Sequence, residues 1–144
     1  MESGIELLTL ALGPDNVPAS CLRPVTAATG GSPGILYSHA HGNAYQIGKS
    51  EIVKGRPALQ DPPLGLLLAR AGAVVMCPDM PGFGERRSEG TESALAKAAQ
   101  WHGRSLLCDM VADLRLAHRA LLELPGVDPT RVSIAGFSMG GTLA

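Results

Sequence analysis

Aromatic rings are scarce in this 144-residue chain: one Trp, two Tyr and two Phe, or 3% of the residues. So few rings exclude a stacking platform for single-stranded nucleic acid. Charge is scarce as well. Charged residues make up 17% and the net charge is -1 at pH 7, which leaves no electrostatic footprint for nucleic acid or anionic lipid. The densest basic pair, Arg86-Arg87, sits between Glu85 and Glu89 and reads as a solvated surface pair. Cys21, Cys77 and Cys108 are odd in number and lack a C-x-x-C. Neither a disulfide framework nor a zinc site is expected, and a reducing compartment is the default. No stretch reaches the roughly 18 uninterrupted apolar residues of a membrane span. The start, MESGIELLTLALGP, carries two acids, no basic region and an early Gly13-Pro14 break, so it does not read as a signal peptide. The expected location is cytoplasmic. Internal repeats, G-x-x-x-x-G-K-[ST] and G-x-G-x-x-G after a strand are also missing, which counts against a phosphate-binding module.

What the chain does have is globular composition, 45% hydrophobic, in a length that fits one domain or part of a larger one. IELLTL and residues 19–23 are expected N-terminal strands, joined by the Gly/Ser/Thr-rich turn TAATGGSPG to a short buried strand, Ile35 to Tyr37. PPLGLLLARAG predicts a helix from Leu64 to Arg70, with Gly72 as its stop. AVVMCPD is a continuous β-branched run, the signature of a strand covered on both faces. From Ser105 to Leu124 the apolar residues Leu106, Leu107, Met110, Val111, Leu114, Ala117, Leu121 and Leu122 mark one face of a five-turn helix. RVSIAGF is a further strand. This alternation predicts an α/β fold, a mostly parallel sheet flanked by helices.

Ligands in such sheets bind beyond the carboxyl ends of the strands. Three glycine-containing loops sit there: HAHGN, DMPGFGE and GFSMGG. In GFSMGG, Gly136 and Gly140 permit a turn too tight for a Cβ, and Ser138 is forced out with its hydroxyl exposed. The Met139 N–H and the following helix N-terminus then face the place where a negative oxygen would develop. A plain glycine-rich turn that binds phosphate is the bland alternative for Ser138. His39 and His41 alternate along an extended chain and could share a metal, but no third ligand has matching spacing. No metal or cofactor is expected. Asp79, at a strand end, is placed to hydrogen-bond the neighbouring glycine loops. His118 reads as a boundary residue of the long helix, and Trp101-His102 as packing against the elbow region.

With these residues in place, the sequence resembles the α/β-hydrolase superfamily, in its dienelactone-hydrolase, acetyl-esterase and prolyl-oligopeptidase-like branches. GFSMGG resembles the nucleophile elbow, HAHGN the His-Gly loop after the third strand, and DMPGFGERR the loop after the fourth. The resemblance implies that Ser138 is the nucleophile of a serine esterase or peptidase-like hydrolase that passes through an acyl-enzyme. It also implies an oxyanion hole from the backbones of Met139 and Asn43, supported by His41, Gly42, Asp79, Gly136 and Gly140. The partner would be a small acyl substrate: an ester, lactone, thioester or peptide. Such an enzyme needs an acid and then a His after the serine, yet only Met, Gly, Gly, Thr, Leu and Ala follow Ser138. The expectation is therefore a single incomplete domain, residues 1–144, truncated just after the elbow. Its last strand would be an exposed edge, and the chain alone would be marginally stable, aggregation-prone and nearly inactive. A non-catalytic pseudoenzyme or binding fragment of the same fold is the alternative.

Overall fold

The computed structural model describes residues 4–26 and 28–144. Five strands form one mixed sheet: β1 (Ile5–Leu12), β2 (Val17–Pro24), β3 (Ser32–Ser38), β4 (Val74–Pro78) and β5 (Val127–Gly136). Their order across the sheet is β1-β2-β4-β3-β5. β1 and β2 form an antiparallel hairpin and β2 runs antiparallel to β4, while β4, β3 and β5 are mutually parallel. The α/β reading therefore holds, with an antiparallel pair added to the parallel core. The glycine-rich turn is shorter than expected, because Ser32, Pro33 and Gly34 already belong to β3; Ala27, within it, lies outside the described residues.

The chain passes from β3 to β4 over one face of the sheet, through α1 (Glu51–Lys54) and α2 (Leu64–Arg70). It returns over the other face through α3 (Glu92–Trp101) and α4 (Leu106–Glu123) to β5, on the far side of β3. Each crossover builds its own core. Ile52 and Ala69 pack with Tyr37, Val75 and Cys77, whereas Met110, Leu114 and Leu121 pack with Leu36, Val74 and Met76. Successive β4 side chains alternate between these cores, as the period of two in a strand requires. That explains the unbroken apolar run: all five β4 residues are buried.

On α4 the buried stripe is Leu106, Met110, Leu114, Ala117 and Leu121, at steps of four and three. Leu107 and Val111, grouped with that stripe in the sequence, are exposed instead. Ser105 caps α4 through a hydrogen bond from the Leu107 N–H at 3.2 Å. Thr91 caps α3 in the same way from Ala94. A last short helix, α5 (Met139–Leu143), follows β5. β5 pairs with β3 only and lies at the sheet edge, as expected. No helix among the described residues is long and apolar enough to cross a membrane.

Candidate active site

The order β4-β3-β5 makes β3 and β5 the point where connections leave in opposite directions, which is where ligands bind in open α/β sheets, beyond the carboxyl ends of the strands. Ser138 stands at the end of β5 with φ 56° and ψ −122°, a conformation that non-glycine residues adopt only when the surroundings enforce it. Two close approaches do so here. A Cβ on Gly136 would lie 2.4 Å from the Gly140 carbonyl, and one on Gly140 would lie 2.0 Å from the Ser38 carbonyl oxygen. Only glycine fits at either position. Ser138 is exposed, its hydroxyl caps nothing, and Met139 is the first residue of α5. Such an N–H has no acceptor within the helix.

The loop after β3 is held by side chains on every side. His39 is fully buried; the Met80 N–H donates to its Nε2 at 3.1 Å, so its Nδ1–H donates to the Ala40 carbonyl at 3.1 Å. Burial pushes the imidazole below its ordinary pKa. The Asn43 N–H donates to His41 Nδ1 at 3.0 Å, which leaves Nε2–H to donate to Glu92 at 2.8 Å. The hydroxyl of Tyr45 donates to the same Glu92 oxygen at 2.8 Å. Burial raises the Glu92 carboxyl, but these two hydrogen bonds outweigh it and the net shift is downward. His39 and His41 thus have separate partners, and no group of three metal-ligating side chains occurs among the described residues.

Phe83 stands at the centre of this loop cluster, with ring centroids 5.1 Å from His39, 5.2 Å from His41 and 5.0 Å from Tyr45. Three of the chain's five aromatic residues (Tyr37, Tyr45 and Phe83) are therefore invested around one loop. Trp101 is not. It is 88% exposed, which corrects the expectation that it packs against the elbow. An open cavity of about 760 Å³ lies between α3 and α4, lined by Tyr45, Glu92, Gln100, Leu106 and Met110 among others.

Asp79 is completely buried at the end of β4. It accepts hydrogen bonds from the Lys49 N–H at 2.6 Å, Lys49 Nζ at 3.1 Å and the Glu85 N–H at 3.0 Å. Gly48 and Gly84 are glycines for its sake, since a Cβ on either would lie 2.1 Å from Asp79 Oδ1. Arg86 is not the solvated group expected. Its side chain is mostly buried and pairs with Glu89 and with Asp113 of α4, while Nη1 also donates to the Asp79 carbonyl at 3.2 Å. Arg87 is exposed, as are His102 and His118. Glu51, Arg56 and Glu92 are site residues that sequence reasoning missed.

A family model described as "Alpha/beta hydrolase family" matches residues 39–144. YtaP of Bacillus subtilis (strain 168), provisionally named a hydrolase, is 33% identical over 144 residues, which are 99% of this chain and 48% of that protein. Among solved structures, a Bacteroides fragilis protein provisionally designated an acetyl xylan esterase aligns with a TM-score of 0.75 and 17% identity. That alignment covers 99% of this chain and 41% of the other. The acetyl xylan esterase of Paenibacillus sp. R4 aligns at 0.66 with 20% identity, over 99% of this chain and 44% of its own. At these identities the structures speak for the fold. The chain spans about half the length of the relatives it matches.

Proposed function

The chain belongs to the α/β hydrolase family, and from that premise we propose that Ser138 is the nucleophile of a serine hydrolase acting on carboxylic esters or related acyl bonds. The observation that carries this reading is the enforced backbone of Ser138 between Gly136 and Gly140. It holds an exposed hydroxyl at the strand-to-helix turn where acyl-transfer chemistry needs it. A hydrolase-named relative, 33% identical, supports the reaction class.

In the proposed reaction Ser138 Oγ gives its proton to a general base and bonds to the carbonyl carbon, and the carbonyl π pair moves to oxygen. That pair then returns, the ester C–O bond breaks, and the alcohol leaves with the proton from the base's conjugate acid. Water then hydrolyses the acyl-enzyme. The Met139 N–H serves the oxyanion. The Asn43 N–H serves it only by exchanging its present hydrogen bond to His41 for one to substrate. Neither His39 nor His41 is the base in this scheme, because both ring nitrogens of each are engaged in the loop. No Asp, Glu or His follows Ser138 within these 144 residues, and the scheme assigns the base and the acid to none of them.

Acylation by a fluorophosphonate probe, read by mass spectrometry, tests the reading. Alone, the 144 residues should label about a millionfold more slowly than a complete triad enzyme. Added imidazole, standing in for the base, should accelerate labelling at Ser138, and Ser138→Ala should abolish it. Labelling elsewhere, or labelling that survives the substitution, removes the proposal in favour of a non-catalytic binding fragment.

A further inference from the structure

Beneath the loop after β3 lies a second polar cluster, built from Tyr37, Glu51 and Arg56. The Glu51 and Arg56 side chains are 1% and 5% exposed and form an ion pair. Taking two charges out of water is expensive, and an apolar pair of similar volume is often as stable or more so. Fold stability alone is thus a poor reason for the pair. Its contacts point elsewhere.

The Glu51 carboxylate accepts from the Tyr37 hydroxyl at 2.7 Å and from the Ala40 N–H at 3.2 Å. Arg56 donates through Nε to Glu51, through Nη2 to the Ala40 carbonyl at 2.7 Å and through Nη1 to the His41 carbonyl at 3.2 Å. The pair therefore grips Ala40 by both its N–H and its C=O, and grips the next carbonyl as well. Gly42 and Asn43 follow in left-handed conformations, φ 52° and 53°. A Cβ on Gly42 would sit 2.5 Å from Arg56 Nη1. The guanidinium is the surface against which this turn is moulded.

We infer that the Glu51–Arg56 pair, oriented by Tyr37, is a positioning device that fixes residues 40–43 so that the Asn43 N–H can turn from His41 to an oxyanion formed at Ser138. This rests on the proposed role of Ser138. A planar, five-donor fork suits the task, since it reaches a carboxylate and two carbonyls at once. The neighbouring side chains divide the labour: His39 ties the loop to Met80, just after β4, His41 holds Asn43, and Glu51–Arg56 holds the peptide between them.

The test compares Arg56→Ala, Arg56→Lys and Glu51→Gln by imidazole-assisted acylation of Ser138, corrected for the folded fraction. Misplacement by about 1 Å costs on the order of a hundredfold in such reactions. Arg56→Ala should therefore lower the first-order acylation rate about tenfold to a hundredfold, with probe affinity within about twofold of wild type. Guanidinium ion at millimolar concentration should restore part of that rate, and sodium chloride at equal ionic strength should not. Arg56→Lys should fall between. An unchanged rate per folded molecule, or a loss confined to probe affinity, overturns the inference. Tyr37→Phe, which removes one hydrogen bond, serves if the charge variants fail to fold. Should wild-type Ser138 itself not label, the Ser138 reading fails separately, and amide exchange decides the clamp. Loss of protection at Asn43 without loss in the β1–β2 hairpin keeps the positioning role, and unchanged protection at Asn43 removes it.

Discussion

β4 and β5 both run parallel to β3 and both lead into a loop of the candidate site, yet one is sealed and the other is open. Every residue of β4 is buried, and at its end the Asp79 carboxylate accepts three hydrogen bonds from Lys49 and Glu85. β5 has no fully buried residue. It is followed by Phe137, 54% exposed, and by Ser138, whose hydroxyl caps nothing. At the junction, Ser38 Oγ, in register with Gly136, is the one buried side-chain polar atom without a partner among the described residues. The contrast teaches how the site divides its work. Groups that aim the backbone are largely buried and hydrogen-bonded to several partners, and the group proposed to react is presented on an open edge by backbone geometry alone.

The sharpest way to break that contrast is to unpair the sealed side. Glu51→Ala leaves Arg56 buried without its carboxylate, and loss of one partner of a buried pair costs about 3–5 kcal/mol. Urea unfolding should show that loss, and a cost below about 1 kcal/mol would mean that water reaches the pair. Next comes the elbow. Gly140→Ala places a Cβ against the Ser38 carbonyl, and overpacking of this kind costs about 1–3 kcal/mol. The elbow must shift to accept it, so Ser138 acylation should fall further than stability does.

A smaller effect comes from pH. Burial lowers the His39 pKa, so below the ordinary imidazole value of about 6.5 the unfolded chain binds a proton that the folded chain refuses. Stability is then intact above that pH and declines as the pH falls towards the lowered folded value, by at most about 1.4 kcal/mol per pH unit. His39→Gln should flatten this portion of the stability profile relative to wild type. An identical slope in both would assign the titration to another histidine.

These regions differ in how far the sequence disclosed them. β4 was legible because burial on both faces leaves an unbroken apolar run, and α4 because one face repeats every three to four residues. Gly136 and Gly140 marked the elbow because a tight turn tolerates no other residue. α3 was missed because it buries only Ala99 fully and shows no apolar stripe, although Thr91 was available as a cap. Arg86 was misread because Glu85 and Glu89 are its neighbours in sequence, whereas Asp113 reaches it only through the fold. The Glu51–Arg56 clamp gave no local signal for a related reason: it grips carbonyls of the loop after β3. Asn43 lies in the loop after β3, but the hydrogen bond that occupies its N–H depends on a ring orientation no spacing reveals.

The open side should respond least to substitution, and that is the subtlest check on the comparison. Ile134 is 41% exposed on β5, which has no strand on its outer side. Ile134→Lys removes little buried area and should change unfolding stability by no more than about 0.5 kcal/mol. It also adds charge to an unpaired strand, the usual device against edge-to-edge pairing. Sedimentation velocity should therefore show less self-association for the variant than for wild type at equal concentration, with the unfolding midpoint nearly unmoved. A stability loss above about 1 kcal/mol would place Ile134 under a cover this structure does not have. The same insensitivity at Val75, buried within β4, would be unthinkable, because its side chain packs with the α1 and α2 core and a lysine there would bury an unpaired charge.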